Sequence, residues 1–174
     1  MESLNIKGNI IKDDGCVLLA QALTGNQKLK ELDISRNEFG PNGFQAICDA
    51  LPTCKLQVLT CNNNFLGDEV LAYFSNIITE HAEDCLLKKF DFSSCRLNDS
   101  GLLYLINALG ANGRISNIKL VDNFFSENIE SLLLQTLNKN TSLVEIAVQG
   151  NRLSHSCLSK IKKITSRNQR MIEE

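Results

Sequence analysis

Apolar residues recur along the chain in two alternating rhythms. The first is compact: in "LKELDISRNEF", residues 29–39, Leu29, Leu32, Ile34 and Phe39 are apolar and Asn37 is the fixed polar position. This L-x-x-L-x-L-x-x-N-x-L pattern returns as Leu56, Leu59, Cys61, Asn64, Leu66, and as Leu87, Phe90, Phe92, Cys95, Leu97. It returns again as Ile115, Ile118, Leu120, Asn123, Phe125, and as Leu143, Ile146, Val148, Asn151, Leu153. A partial copy, Leu4, Ile6, Asn9, Ile11, opens the chain. The polar positions 9, 37, 64, 95, 123 and 151 are spaced by 28, 27, 31, 28 and 28 residues. Its centre alternates apolar and polar residues, the period of a strand with one buried face.

The second rhythm fills the gaps. "GCVLLAQAL" (15–23), "GFQAICDAL" (43–51), "GLLYLINAL" (101–109) and "IESLLLQTL" (129–137) carry apolar residues at helical spacing. Each unit is therefore a short strand, a turn and a helix. Neither half buries its apolar face alone. Stacked units bury a continuous core, with strands in one parallel sheet and helices outside.

These copies resemble the leucine-rich repeat family, in its ribonuclease-inhibitor-like class, over essentially the whole chain. The resemblance implies an α/β fold: a right-handed solenoid, or horseshoe, with a parallel concave β-sheet and convex α-helices. It implies one domain over 1–174, with six repeats, the first incomplete, closed by a helix at 154–174. The resemblance is specific for fold and not for function, because the class holds nuclease inhibitors, Ran GTPase activators, tropomodulin-like actin cappers and innate sensors.

Two departures stand out. The spacing of 31 adds three residues around "ITEHAEDCLLKK" (78–89), expected as an elongated helix or a helix–strand loop. His81, Cys85 and the nearby acids invite a metal reading, but ligand geometry on one short loop is poor, so a solvated insertion is expected. The first copy also lacks its opening residues and has no polar cap, so the chain reads as a fragment or as having its first strand edge covered.

The last segment, 154–174, offers Ser154 or Ser156 as a helix cap and Leu158, Ile161, Ile164 and Met171 as an apolar stripe broken by Asn168. Lys160, Lys162, Lys163, Arg167 and Arg170 occupy the remainder. The plain reading is a closing helix with solvated cations. The alternatives are a basic surface for acidic partners and the start of a longer helix.

Alternation along the strands places three columns on the concave face. They are Ser3, Glu31, Val58, Lys89, Asn117, Glu145; then Asn5, Asp33, Thr60, Asp91, Lys119, Ala147; then Lys7, Ser35, Asn62, Ser93, Val121, Gln149. From these, Glu31, Asp33, Ser35, Thr60, Asn62, Lys89, Asp91, Ser93, Asn117, Lys119, Glu145 and Gln149 are the candidate protein-binding residues. The face has no aromatic residue, and binding hot spots favour Trp, Tyr and Arg. Phe65 and Phe124 follow the polar turn position and are placed on the loop rim or tucked against the next turn. Asn9, Asn37, Asn64, Cys95, Asn123 and Asn151 form a structural ladder inside the turns. Cys95 is thus a buried, unreactive rung, softer than an asparagine, and Cys85 in the insertion is the better candidate for a reactive thiol.

Composition narrows function further. With 43% hydrophobic residues the chain can build a core, and with 6% aromatics and no tryptophan that core is expected to be aliphatic. A net charge of −2 gives no bulk attraction to nucleic acid or an anionic membrane. Seven scattered cysteines without a C-x-x-C pair fit free thiols in a reducing, cytoplasmic setting, with cytoskeletal or nuclear association open. The sequons at Asn98 and Asn140 then go unused. No apolar run is long enough to span a membrane. No phosphate-binding glycine motif is present, and neither histidine falls on a concave strand position, so no enzyme, cofactor, metal site or small-molecule substrate is expected. The first reading is a protein–protein interaction module or scaffold of an intracellular assembly. The alternatives are a regulator of a cytoskeletal or small-GTPase machine, suggested by the resemblance alone, and a nucleic-acid-associated protein using the basic last helix.

Overall fold

The computed structural model describes residues 1–173. Six three-residue strands alternate with six helices: β1 Ser3–Asn5, α1 Lys12–Leu23, β2 Glu31–Asp33, α2 Pro41–Ala50, β3 Val58–Thr60, α3 Asp68–Glu80, β4 Lys89–Asp91, α4 Asp99–Ala111, β5 Asn117–Lys119, α5 Glu130–Lys139, β6 Glu145–Ala147 and α6 His155–Glu173. The strands form one parallel sheet in the order β1 to β6. The register is Ser3–Glu31–Val58–Lys89–Asn117–Glu145 along one row and Asn5–Asp33–Thr60–Asp91–Lys119–Ala147 along the next. The central residues of β2 to β6, from Leu32 to Ile146, point into the core and are buried. The result is an α/β solenoid with the apolar core between sheet and helices.

Three polar ladders tie each unit to the next. The first is the asparagine ladder inside the turns. The Asn37 side-chain amide donates to Ile6 O at 3.0 Å in the preceding unit and to Ile34 O and Ser35 O in its own, while its Oδ1 accepts from Asn9 N at 2.8 Å. Asn123 repeats this: it donates to Phe92 O, Leu120 O and Val121 O, and accepts from Cys95 N and Leu97 N, both at 3.1 Å. One side chain thereby satisfies five backbone groups that would otherwise be buried without partners. Asn9 departs from the expected buried rung: it is exposed, because no unit lies on its outer side in the described chain, and its amide donates only within its own turn.

Cys95 fills the fourth rung. It is fully buried, and its thiol lies 3.4 Å from Cys61 O and 3.3 Å from Ser93 O. A thiol carries one proton, so it serves these two acceptors in place of the three an amide serves.

The second ladder joins helix starts and was not read from the sequence. Asp13 Oδ1 accepts from Gly40 N at 2.7 Å and Gly43 N at 3.1 Å at the start of α2. Asp68 does the same for Asn98 N, Asp99 for Ser126 N, and Glu130 for Ser154 N. Each carboxylate meets the positive end of the next helix, where free N–H groups need an acceptor. This close approach explains two glycines. A methyl at Gly43 would lie 2.6 Å from Asp13 Oδ1, and one at Gly101 2.6 Å from Asp68 Oδ1. Pro41 stands where Asp13 and Asp99 stand in their units, so α3 receives no such carboxylate.

The third ladder lies at the C-terminal ends of the helices. Asn112 donates to Ile78 O and accepts from Ile115 N; Asn140 donates to Leu109 O and accepts from Leu143 N. Asn168 closes it. Expected as a break in the stripe of α6, Asn168 is instead fully buried and donates to Asn140 O and Leu143 O. The buried side of α6 is Cys157, Ile161, Ile164 and Asn168, whereas Met171 is 55% exposed and leaves the expected stripe. Ser154 caps the helix, accepting from Cys157 N at 3.1 Å. Asn140 is buried in this ladder, so its sequon has no room for a glycan.

The core is more aromatic than its composition implies. Phe44, Phe74, Phe90 and Phe92 form one cluster, with ring centroids 4.6–6.1 Å apart and mostly edge-on contacts. Phe39 and Phe125 are fully buried in other units. The three extra residues form a turn at His81–Asp84 before β4, with Cys85 N donating to His81 O at 2.8 Å. Cys85 is 3% exposed and packs into the core, so it is no more accessible than the other cysteines. The insertion loops outward between two residues that stay anchored, and Cys85 is one of the anchors. All seven thiols are free and buried. Burial pushes Cys16 and Cys95 up to about 12 and Cys157 up to about 11, and raises Cys48, Cys54, Cys61 and Cys85 as well. At Cys95 the Asn64 and Asn63 amides pull the other way. Among the described residues no three His, Cys, Asp or Glu side chains converge as a metal site, and no helix is long and apolar enough to cross a membrane.

Three outcomes follow from this packing. Asn123→Leu strands several buried backbone groups and should cost about 3 kcal/mol or more in urea unfolding, against a change within about 0.5 kcal/mol for a substitution at exposed Glu69; equal effects would refute the ladder. Cys95→Asn should raise the unfolding midpoint, since it restores the missing donor and an acceptor for the neighbouring unit. Native chain should react slowly with a thiol reagent at all seven positions, Cys85 included, and fully in urea. Because the unfolded thiols ionise near 9.0 and the folded ones only towards 11 to 12, the folded state retains protons that the unfolded state loses. Stability is therefore whole below pH 9 and falls as pH rises through that window.

Candidate functional site

The outward residues of the strands form the concave face in the two rows given by the register. Most of its acids are held by neighbours. Asn5 donates to Asp33 at 3.3 Å, Asn62 to Asp91 at 3.1 Å, and Asn117 to Glu145 at 2.8 Å. Asp33 and Asp91 each also accept from a backbone N–H two residues on, at Ser35 and Ser93. These aspartates therefore shape the strand exit as much as they face a partner. Glu31, Lys89, Lys119 and Gln149 remain free to reach outward, and Lys89 and Lys119 make no ion pair among the described residues. A shallow cleft of about 330 Å³ lies over the short side chains Val58 and Thr60, walled by Lys89, Asp91 and Lys119.

The third column departs from its expected exposure. Ser35 is fully buried, because the chain bends inward after β2 and the next turn covers it. It cannot touch a partner on this face. Ser93 is half-buried, and its Oγ accepts from Val121 N at 3.1 Å, which links two units. Asn62 stays at the surface beside Asp91, and Gln149 is exposed.

The loop rim beside the concave face carries the strongest apolar exposure near it. Phe65 is 47% exposed and Phe124 57%. Both follow the ladder residue, and so does Arg96, whose guanidinium lies 4.6 Å from the Phe65 ring centre. Arg152 occupies the same place one unit beyond Phe124, so four successive units present Phe, Arg, Phe, Arg in one line. The backbone helps to aim this line: Arg96 sits at φ 62°, and Asn63 and Asp122, two residues before the phenylalanines, at 57° and 53°. The variable position of the motif is the signal that finds both phenylalanines in the sequence. The stacking of Arg96 on Phe65 has no linear signal, since the two are a full repeat apart.

Other groups with chemistry lie apart. His81 and His155 are exposed and on different units. Tyr73 on α3 donates to Asp49 on α2, and this hydrogen bond holds the phenol up at about 12. That pair lies on the helical side, away from the concave rows.

The comparisons with known proteins agree with this geometry. A family model described as "Leucine Rich repeat" matches residues 1–20, 25–48 and 83–105. The human "NACHT, LRR and PYD domains-containing protein 14" is 30% identical over 152 residues, covering 71% of this chain and 14% of that protein. The ribonuclease inhibitor of Sus scrofa is 27% identical, covering 76% of this chain and 29% of the inhibitor. The chain thus spans less than a third of these curated relatives. Among solved structures, the Caenorhabditis elegans tropomodulin C-terminal domain superposes with a TM-score of 0.62 at 14% identity, over 99% of this chain and 87% of that one. "Leiomodin-1 Actin-Binding Site 2" superposes with a TM-score of 0.59, also at 14% identity, over 99% of this chain and 83% of that one. At that identity the two structures show the fold. Motif, register, ladders and relatives converge: the chain belongs to the leucine-rich repeat family, in its ribonuclease-inhibitor-like class.

Proposed function

We propose that this chain is a non-enzymatic protein-interaction module, a scaffold element that meets its partner on the concave face and the adjoining loop rim. The observation that carries the reading is the line of Phe65, Arg96, Phe124 and Arg152 beside free Lys89 and Lys119. Exposed aromatics and arginines are the residues on which binding energy concentrates. The concave residues then supply complementarity: Glu31, Asp33, Thr60, Asn62, Asp91, Asn117, Glu145 and Gln149 set charge and hydrogen bonding around that anchor. Seven buried free thiols favour a reducing, intracellular setting.

The narrower reading is a regulator of a cytoskeletal machine. It draws support from the fold likeness to a structure titled as an actin-binding site, which extends over 99% of this chain. The likeness is one of backbone shape, so the general reading stands first.

The test uses purified intact chain as bait, with quantitative mass spectrometry of captured proteins. Truncation at Leu153 is unsuitable, since it would uncover the core that Cys157, Ile161 and Ile164 close. Phe65→Ala with Phe124→Ala should reduce capture of specific partners by about tenfold, the loss of about 1.4 kcal/mol or more expected of an anchor. Lys89→Ala with Lys119→Ala should reduce it less and flatten its salt dependence. Retained capture with both double variants would overturn the concave and rim assignment. Co-sedimentation with filamentous actin decides the narrower reading.

A further inference from the structure

The helices turn a second surface outward, on the side opposite the concave rows. Leu18, Ala46, Tyr73, Tyr104 and Leu132 are separated by 28, 27, 31 and 28 residues, the spacings of the polar ladder inside the turns. They therefore hold one equivalent position on α1 to α5, which pack side by side in that order. None of the five is buried. Tyr104 is 52% exposed, and Leu103 beside it 40%. α4 has α3 on one side and α5 on the other, so this exposure belongs to a unit with both neighbours in place. Exposed apolar residues scattered singly are ordinary, but a row of them at one position of successive units is continuous surface.

The charge around that row has one sign. α2, α3 and α4 contain Asp49, Asp68, Glu69, Glu80 and Asp99, and no Lys or Arg. Asp68 and Asp99 are spent on the start of the next helix, and Asp49 accepts from the Tyr73 hydroxyl. Glu69 and Glu80 are exposed and make no ion pair among the described residues. They also share a face with the row. At about 3.6 residues per turn, Glu69 lies about 40° and Glu80 about 20° from Tyr73 around α3. At about 1.5 Å per residue, Glu69 stands about 6 Å before Tyr73 along the axis and Glu80 about 10 Å after it. Asp49 lies about 60° from Ala46 around α2. Row and acids thus point the same way, with carboxylates on both flanks.

We propose that the outer face of α2 to α5, centred on Tyr73, Leu103 and Tyr104, is a docking surface whose occupant is a basic amphipathic helix of a partner protein. Its apolar side covers the row, and Lys or Arg at the borders of that side reach Glu69, Glu80 and Asp49. Charge complementarity selects a cationic occupant and disfavours nucleic acid and anionic lipid, which carry the sign of this face. The apolar row selects an amphipathic segment over a purely cationic one, which would leave Leu103 and Tyr104 in water. Length agrees: three steps between neighbouring helices, at about 8–10 Å each, span about 25–30 Å, the reach of a helix of about 18–20 residues. A second copy of this chain fits less well. Its basic helix, α6, already turns its apolar side to its own core through Cys157, Ile161 and Ile164. This surface lies apart from the concave face and rim, so the two readings stand or fall separately.

The probe is a synthetic helical peptide of about 20 residues, with leucines along one face and lysines along both borders of that face. It is labelled for fluorescence anisotropy against the full chain. One comparison peptide carries glutamates in place of the lysines, and another keeps the lysines without the leucines. The amphipathic basic peptide should bind about tenfold tighter than either. Leu103→Ala with Tyr104→Ala should weaken it about tenfold, and Glu69→Lys with Glu80→Lys about tenfold with a flatter salt dependence. Glu69 and Glu80 are exposed, so the charge variant should melt close to the native chain and decides the matter even if the alanine variant melts lower. Phe65→Ala with Phe124→Ala should leave this binding intact. Equal binding of either comparison peptide, no binding of the probe, or full binding to the charge variant overturns the proposal. So does a dimer in sedimentation that Leu103→Ala with Tyr104→Ala dissolves, since the occupant would then be a second copy.

Discussion

The structure depends on one constraint: the tight turn after each strand buries backbone groups that no sheet or helix partner can reach. A single asparagine side chain resolves it by donating to three carbonyls and accepting from neighbouring amides. Some of those partners belong to the adjacent unit. The same bonds that rescue a turn therefore fix the distance and angle between units. The curvature of the sheet, the alignment of the concave rows and the line of rim residues are consequences of that rung. The carboxylate ladder at the helix starts and the asparagine ladder at the helix ends repeat the logic at two other corners of the units that carry them.

This architecture divides labour between side chains. On the concave face, asparagines and aspartates bind one another across units, which stiffens the surface while leaving a few long side chains unspent. The rim holds its aromatics outside because the core positions on either side of them are already filled. α6 is tied by Asn168 and Arg167 on one side and unengaged on the other. Surfaces that could recognise something are those where the ladders have used the fewest groups.

Much of this was legible in the sequence because periodicity carries it. The register of all six strands follows from the spacing of Leu4, Leu32, Leu59, Phe90, Ile118 and Ile146, since alternate residues must face opposite ways. Cys95 as a rung followed from its place in the pattern. What escaped is what depends on contacts between units without a shared motif. Asp13, Asp68 and Asp99 each stand four residues after their ladder residue, but Pro41 breaks the pattern and Glu130 does the same work from three residues further on, so the motif does not announce them. The polarity of Asn168 suggests an interruption of the stripe, whereas its amide answers two open carbonyls. Cys85 looked exposed because the insertion was polar, yet the loop excludes its own anchor points. The pairing register of the first two rows is legible, but the burial of Ser35 is not, because a strand's alternation stops where the chain turns inward.

The unit containing β3 and α3 lacks a polar link on one side and has a weaker one on the other. Pro41 gives it no carboxylate from the unit before, and Cys95 gives it a thiol from the unit after. The aromatic cluster of Phe44, Phe74, Phe90 and Phe92 gathers at these two joints. Directional hydrogen bonds hold an angle; ring contacts hold a distance and tolerate rotation. In a stack whose stability is a sum of neighbour terms, these two joints draw more of their cohesion from ring packing than from directed hydrogen bonds.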